Sequence, residues 1–202
     1  MRREFAWIRD ADVELASRRA VDGMLDRARR ERLEDVAVAT IASPIGGLLV
    51  AGTPRGLVRV AFPEEQPDLV VEELAVSLSL RVLEDPRALD PVRRQLEEYF
   101  DGRRRHLETR IDWALAPLGF SRKVLQATAR IPYGSVATYG EIARRAGSPR
   151  AARAAGNALH DNPVPIVVPC HRVVPSGGGI GKYGGSEWRK EWLLRLEGSQ
   201  TG

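Results

Sequence analysis

Thr138-Tyr139-Gly140-Glu141-Ile142-Ala143-Arg144-Arg145-Ala146-Gly147-Ser148-Pro149-Arg150-Ala151-Ala152-Arg153-Ala154-Ala155-Gly156 is the stretch on which the fold of this chain turns. Thr138 followed three residues later by Glu141 is a capping box, so a helix begins there. Gly147 ends that helix. Ser148-Pro149 restarts one at once, as N-cap and first helical position, running to about His160. Two helices joined by a tight glycine turn read either as a helix-turn-helix or as an ordinary helical hairpin. The second helix bears Arg150 and Arg153 among alanines, and small residues let a helix lie close against a groove. Upstream, a helix over about 120–130 stops at Ile131-Pro132-Tyr133-Gly134.

Downstream lies the only cysteine, in Ile166-Val167-Val168-Pro169-Cys170-His171-Arg172-Val173-Val174. A lone cysteine is ordinarily a small buried hydrophobe. Here Pro169 fixes the backbone before the thiol, and His171 with its basic surroundings favours the nucleophilic thiolate. The glycine-rich run Ser176-Gly177-Gly178-Gly179-Ile180-Gly181-Lys182-Tyr183-Gly184-Gly185 serves close backbone approach or a mobile loop. A cysteine hydrolase fits these features too, but has no use for a basic helical pair and needs an oxyanion hole and a water path. The chain closes with an amphipathic helix, about 187–197, through Trp188, Trp192, Leu193 and Leu196.

Charge divides the chain. Residues 113–202 hold 12 Lys/Arg and 5 Asp/Glu, net +7, whereas residues 1–112 hold 19 and 22, net −3; the two sum to the overall +4. The basic excess lies with the thiol, which suits a polyanion-binding domain or a generically basic surface. Upstream, residues 36–62 read as three short strands (36–42, 47–51 and 57–62) separated by Pro/Gly turns, an antiparallel meander. One helix begins near Pro67. Another has Asp90 as N-cap and Pro91 at its first position, and 109–113 add a further strand. Residues 1–35 carry 9 basic and 9 acidic residues. They read as one or two weakly amphipathic helices, with Ile8, Ala11 and Leu15 on one face, packing on the body or a partner.

The 202 residues suffice for one large or two small domains. No apolar run is long enough to span a bilayer, and Met1-Arg2-Arg3-Glu4 followed by mixed charge does not make a secretory signal. One cysteine cannot close an internal disulfide, and a reactive thiol prefers a reducing compartment, so a cytoplasmic protein is expected. Three scattered histidines and one cysteine give no metal-ligand spacing, and no metal site is expected.

At this point the residues carry a resemblance. Asn162-Pro163-Val164-Pro165 followed by Pro169-Cys170-His171-Arg172-Val173 resembles the active-site signature of the O6-alkylguanine-DNA alkyltransferases, also called methylated-DNA–protein-cysteine methyltransferases. It extends through Ile131–Gly134, Thr138–Ala143, Gly147–Ala154 and Lys190-Glu191-Trp192-Leu193-Leu194, essentially all of 119–197. Thr40–Gly46 resembles the start of the family's N-terminal domain. Residues 1–35 lie outside the resemblance.

Residues 1–35 are read from their charge and spacing alone as a helical extension; the resemblance implies an α/β domain (36–112) of antiparallel sheet plus helices, ribonuclease H-like. A mainly α winged helix-turn-helix domain (113–202) follows. It implies a single-turnover enzyme of direct-reversal DNA repair, needing no cofactor. The enzyme flips an O6-alkylguanine, with O4-alkylthymine a further candidate, out of the duplex and moves the alkyl group irreversibly to Cys170. By the same resemblance His171 takes the thiol proton through a water, Glu197 orients His171, and Asn162 braces the turn. Arg153 fills the vacated stack and Gly156 permits close approach. Ser121, Ser148 and Ser176 touch DNA, and Tyr139 pushes on the rotating phosphate. Tyr139, Val173, Tyr183 and Gly184 form the base pocket. The partner is double-stranded DNA bearing O6-alkylguanine, bound by a monomer, alone or cooperatively along the duplex. The alternative is a non-catalytic lesion-binding or winged-helix regulatory protein, but lesion binders of this group lack the cysteine.

Overall fold

This computed structural model describes residues 10–30, 35–181, 183 and 186–199. Three apolar runs form β1 (Val36–Ile41), β2 (Leu48–Thr53) and β3 (Gly56–Ala61), paired antiparallel in sequence order as the expected meander. The turn into β3 requires glycine: Gly56 has φ +140°, and a Cβ there would lie 2.3 Å from the Arg110 carbonyl oxygen. Side chains alternate between two cores. Ala37, Ala39, Ile41, Leu48 and Val50 enter the larger one. Val36, Val38, Leu49 and Ala51 enter a smaller one, with Val70 and Leu74 of α2 (Pro67–Ser77). Burial on both faces is why these runs are continuously apolar and do not alternate with polar residues.

The antiparallel meander is extended by a fourth, parallel strand, so the sheet is mixed. After α2 the chain returns as β4 (Val82–Glu84), parallel to β1, giving the order β3-β2-β1-β4. Three residues are too few to show a strand period. Helix α3 (Asp90–Phe100) buries Leu96, Tyr99 and Phe100. Asp90 lies inside its first turn and accepts from Arg93 Nε at 3.0 Å, so it is not the cap. Residues 109–113 contribute only a bridge between Ile111 and Leu57, followed by a 3-10 turn, Trp113–Leu115.

The second domain packs α4 (Phe120–Thr128), α5 (Tyr139–Arg145), α6 (Ala152–His160) and α7 (Glu187–Leu196) around short parallel strands β5 (Ala137–Thr138) and β6 (Val173–Val174). The capping box is present: Glu141 N donates to Thr138 Oγ1 at 3.2 Å, and Thr138 N donates to Glu141 Oε2 at 2.7 Å. Helix α6 starts at Ala152, later than Ser148-Pro149 implies. Ala151 N donates to the Ser148 carbonyl at 3.0 Å, closing a turn over Pro149 and Arg150, and no side chain caps α6.

The described residues of the charged N-terminal segment form one helix, α1 (Asp10–Arg30), tied to the first domain by an Arg87–Asp22 ion pair at 2.7 Å. Its Leu15, Val21 and Met24 are exposed. Ile8, part of the expected stripe, lies outside the described residues. The larger core runs through both domains, joining Ile41, Ile45 and Leu48 to Leu125, Ile131 and Leu193. Among the described residues no helix is long and apolar enough to cross a membrane.

Candidate active site

The segment leaving α6 is buried from Asn162 to Ile166. Ile166 has φ +74°, a conformation a β-branched residue adopts only when its surroundings enforce it. Asn162 enforces much of this turn. Its Oδ1 accepts from Val164 N at 3.1 Å, and its Nδ2 donates to the Val168 carbonyl at 2.9 Å and to Cys170 Sγ at 3.1 Å. Cys170 then opens a 3-10 turn, Cys170–Arg172, closed by Arg172 N on the Pro169 carbonyl at 2.9 Å.

Cys170 is enclosed by protein but reached by solvent, in the wall of a cavity of about 920 Å³ between the domains; Phe62, Tyr139, Gly156, Pro165 and Tyr183 line it too. Burial raises the thiol pKa, against the lowering effects of the Asn162 hydrogen bond and the Lys190 charge. The expectation that basic surroundings favour thiolate is therefore reversed at rest: desolvation of the anion outweighs them. Reaction needs a base that acts on a neutral thiol.

His171 is fully buried, and its Nε2 meets Glu197 Oε1 at 3.0 Å. Glu197 follows α7. Arg172 grips it with two hydrogen bonds of 2.8 Å, Nε to Oε2 and Nη2 to Oε1, and the Tyr99 hydroxyl donates to Oε1 at 2.6 Å. Burial alone would raise the Glu197 pKa; the hydrogen bonds from His171 and Arg172 reverse that and hold it at about 2. Burial lowers the His171 pKa, opposed by Glu197. His171 Nδ1 has no partner among the described residues. Lys190, buried and held down to about 8 by desolvation, donates to the Val173 carbonyl at 2.6 Å.

Tyr139, the first residue of α5, stands between two spaces. It shares the first cavity with Cys170 and a second, of about 570 Å³, with Arg153, Gly156, Pro175 and Ser176. Arg153 is exposed on α6 and makes no hydrogen bond or ion pair among the described residues. Ser148 is half-buried in the turn before α6, and Ser176 is exposed beyond β6. Ser121 sits in the first turn of α4, away from both cavities. The Val173 side chain is buried in the core and does not line the base cavity. Tyr183 does line it, edge-on to Phe62 at 5.8 Å and to His171 at 6.1 Å. Gly184 lies outside the described residues. His160 is exposed at the end of α6.

This arrangement coincides with two family models: "6-O-methylguanine DNA methyltransferase, ribonuclease-like domain" over residues 36–113, and "6-O-methylguanine DNA methyltransferase, DNA binding domain" over 119–199. The chain belongs to the 6-O-methylguanine DNA methyltransferase family. It is 40% identical over 163 residues to a methylated-DNA–protein-cysteine methyltransferase of Methanosarcina acetivorans, spanning 80% of this chain and 97% of that one. A relative of the same name from Shigella flexneri is 38% identical over 160 residues, 78% of this chain and 93% of that one. The fold matches the crystal structure of the Mycobacterium tuberculosis O6-methylguanine methyltransferase with a TM-score of 0.70 at 37% identity, covering 81% of this chain and 93% of that one. A structure of the M. tuberculosis protein in complex with DNA matches equally, with a TM-score of 0.70 at 37% identity over 80% of this chain and 92% of that one.

Sequence reasoning missed three neighbours of the site. Arg172 and Lys190 stood in quoted motifs without a role. Tyr99 had no signal at all, since it meets Glu197 across 98 positions of sequence.

Proposed function

We propose that this chain repairs O6-alkylguanine in double-stranded DNA by moving the alkyl group to Cys170 in a single turnover. The observation that carries the reading is a braced, solvent-reached thiol in the wall of a cavity of about 920 Å³, which is ample for an extruded base. A buried His171–Glu197 pair follows it in the chain, and a basic helix-turn-helix adjoins it. A thiol neutral at rest needs a proton acceptor. Neutral His171, with Nε2 on Glu197, leaves Nδ1 free to take the proton through a water. The sulfur then attacks the alkyl carbon in line. The S–C bond forms as the C–O6 bond breaks, the electron pair stays on guanine, and guanine takes up a proton. A thioether has no hydrolytic exit, so each chain acts once. Asn162 and Glu197 act as positioning residues.

The lesion lies inside the duplex, so the nucleotide must be extruded at a cost of a few kcal/mol. In this reading Arg153, exposed and without a partner among the described residues, fills the vacated stack, and Tyr139 lines both its cavity and that of Cys170. A Cβ at Gly156 would stand 3.7 Å from the Tyr139 ring, an ordinary contact. Packing within the protein thus does not demand glycine there, and close approach of DNA does. Ser148 and Ser176 contact the backbone nearby; Ser121 does so from α4. Tyr139, Tyr183 and Gly184 enclose the base, while the Val173 side chain belongs to the core behind the site. In this reading residues 36–112 form the scaffold domain and 113–202 the reactive one. Residues 1–35 are an extension, and the protein acts as a cytoplasmic monomer.

The test is incubation with duplex DNA carrying O6-[methyl-³H]guanine. One label per chain, on the peptide containing Cys170, is expected. DNA binding without covalent label would leave a lesion-binding protein instead, a reading that gives the braced thiol and the buried His171–Glu197 pair no use.

A further inference from the structure

Resting on the alkyl-transfer reading, we infer that Tyr99, a side chain of the N-terminal domain, is a positioning residue for the thiol-activating pair, holding Glu197 so that His171 keeps its proton on Nε2 and presents a bare Nδ1.

The Glu197 carboxylate has about four acceptor sites. Oε1 receives Tyr99 OH at 2.6 Å, Arg172 Nη2 at 2.8 Å and His171 Nε2 at 3.0 Å, and Oε2 receives Arg172 Nε at 2.8 Å. Arg172 and Tyr99 are obligate donors here. An arginine has no acceptor, and burial, reinforced by the Glu197 charge, pushes the Tyr99 hydroxyl well above its ordinary pKa. With its sites filled by donors, Glu197 stays ionised and His171 Nε2 must donate. The neutral imidazole then has one tautomer, and its buried Nδ1 has no partner among the described residues. Tyr99 also competes with His171 for the charge on Oε1. Its hydroxyl therefore holds His171 neutral at lower pH than Glu197 with Arg172 alone would. The bond crosses from α3 to the residue capping α7, so a hydroxyl of the scaffold domain touches the activating pair directly.

The other charged and titratable groups around His171 are Arg172 and Cys170 beside it, Lys190 from α7 and Tyr183 edge-on to its ring; Tyr133, with Arg105 over its ring, faces Glu197 and Arg172. Tyr99→Phe alters none of these, and it keeps the ring contacts with Phe100 at 5.4 Å and Tyr133 at 6.2 Å.

The experiment is the pH profile of transfer from free O6-benzylguanine, which bypasses DNA binding. In Tyr99→Phe the acid limb should move up by about half a unit to one unit, because His171 protonates more readily. The rate should fall several-fold at pH 6 and stay within about twofold of wild type at pH 8.5. A purely structural hydroxyl predicts an equal fractional loss at every pH, and that result, or no loss, overturns the inference. Tyr133→Phe removes a neighbouring hydroxyl that donates to the Leu196 carbonyl at 3.0 Å, and it should leave the midpoint in place. If Tyr99→Phe does not fold, long-range ¹H–¹⁵N spectra of the unaltered protein decide. Protonated Nε2 with bare Nδ1 supports the inference, and protonated Nδ1 overturns it. Failure of the wild-type protein to accept any alkyl group would instead overturn the alkyl-transfer reading.

Discussion

Around Cys170, the side chains of Asn162, Arg172, Lys190 and Glu197 are buried and each is bonded at a fixed distance to a neighbour. On α6, earlier in the chain, Arg153 is exposed with no partner at all among the described residues, and Arg150 in the preceding turn is likewise exposed and unpartnered there. The contrast separates two tasks. Chemistry on a neutral thiol needs groups whose positions and protonation states are set before the substrate arrives, and low-dielectric surroundings make each bond there count. Recognition of a duplex needs charges that are free until phosphates or an opened stack arrive. Substitutions in the cavity should therefore change reaction and stability together. Substitutions on the rim should change only what happens on DNA.

The largest expected effect is at the thiol. Cys170→Ala should abolish transfer completely, while duplex affinity by gel shift stays within about threefold, since phosphate and groove contacts come from elsewhere. Residual labelled protein in this variant would place the nucleophile outside the cavity and dissolve the contrast.

Glu197→Gln comes next. It leaves Arg172 buried without a counter-charge, a change that typically costs about 3–5 kcal/mol, so a large drop in melting temperature is expected alongside a transfer loss on the order of 100-fold. The pH dependence has a definite sign. Folding lowers the Glu197 pKa from 4.5 to about 2, so its stabilisation is complete above pH 4.5 and drains away as pH falls toward 2. Thermal melts across that window should slope less steeply in Glu197→Gln than in wild type. Parallel slopes would mean that another carboxylate governs acid unfolding.

The two regions were unequally legible in the sequence. The helix-turn-helix was readable because capping and turn signals are local: Thr138, Glu141 and Gly147 act within a few residues of themselves. Even there the start of α6 was misplaced, since Ser148-Pro149 supports a turn as well as a helix cap. The thiol turn was readable through its motif, but its electrostatics were not. Basic residues nearby in sequence pointed to thiolate, whereas desolvation, a property of the folded cavity, decides for thiol. β4 and Tyr99 were invisible for a common reason. Three residues carry no period, and a bond across 98 positions leaves no local trace.

On the rim, Arg153→Ala sharpens the contrast directly. Transfer from duplex O6-methylguanine should fall about 10–100-fold, and transfer from free O6-benzylguanine should stay within about twofold, because a side chain that fills a stack matters only where there is a stack. Equal losses on both substrates would move Arg153 from the rim to the support of the cavity.

The smallest effect is expected at Arg150. It lies in the turn that precedes α6, exposed and unpaired, one residue after Pro149. An arginine there is expected to meet phosphates and not the stack. Arg150→Ala should weaken binding about two- to fivefold to lesion-containing and undamaged duplex alike, with the rate of transfer at saturating DNA unchanged. A phosphate contact also releases about one counterion, so the slope of log affinity against log salt should become shallower by about one. Measuring binding at several salt concentrations distinguishes this from a helix-start defect, which lowers affinity without altering the slope. A loss confined to lesion DNA would instead give Arg150 a share in holding the flipped state, and the rim would then divide within itself, between the arginines that hold the flipped state and those that only meet phosphates.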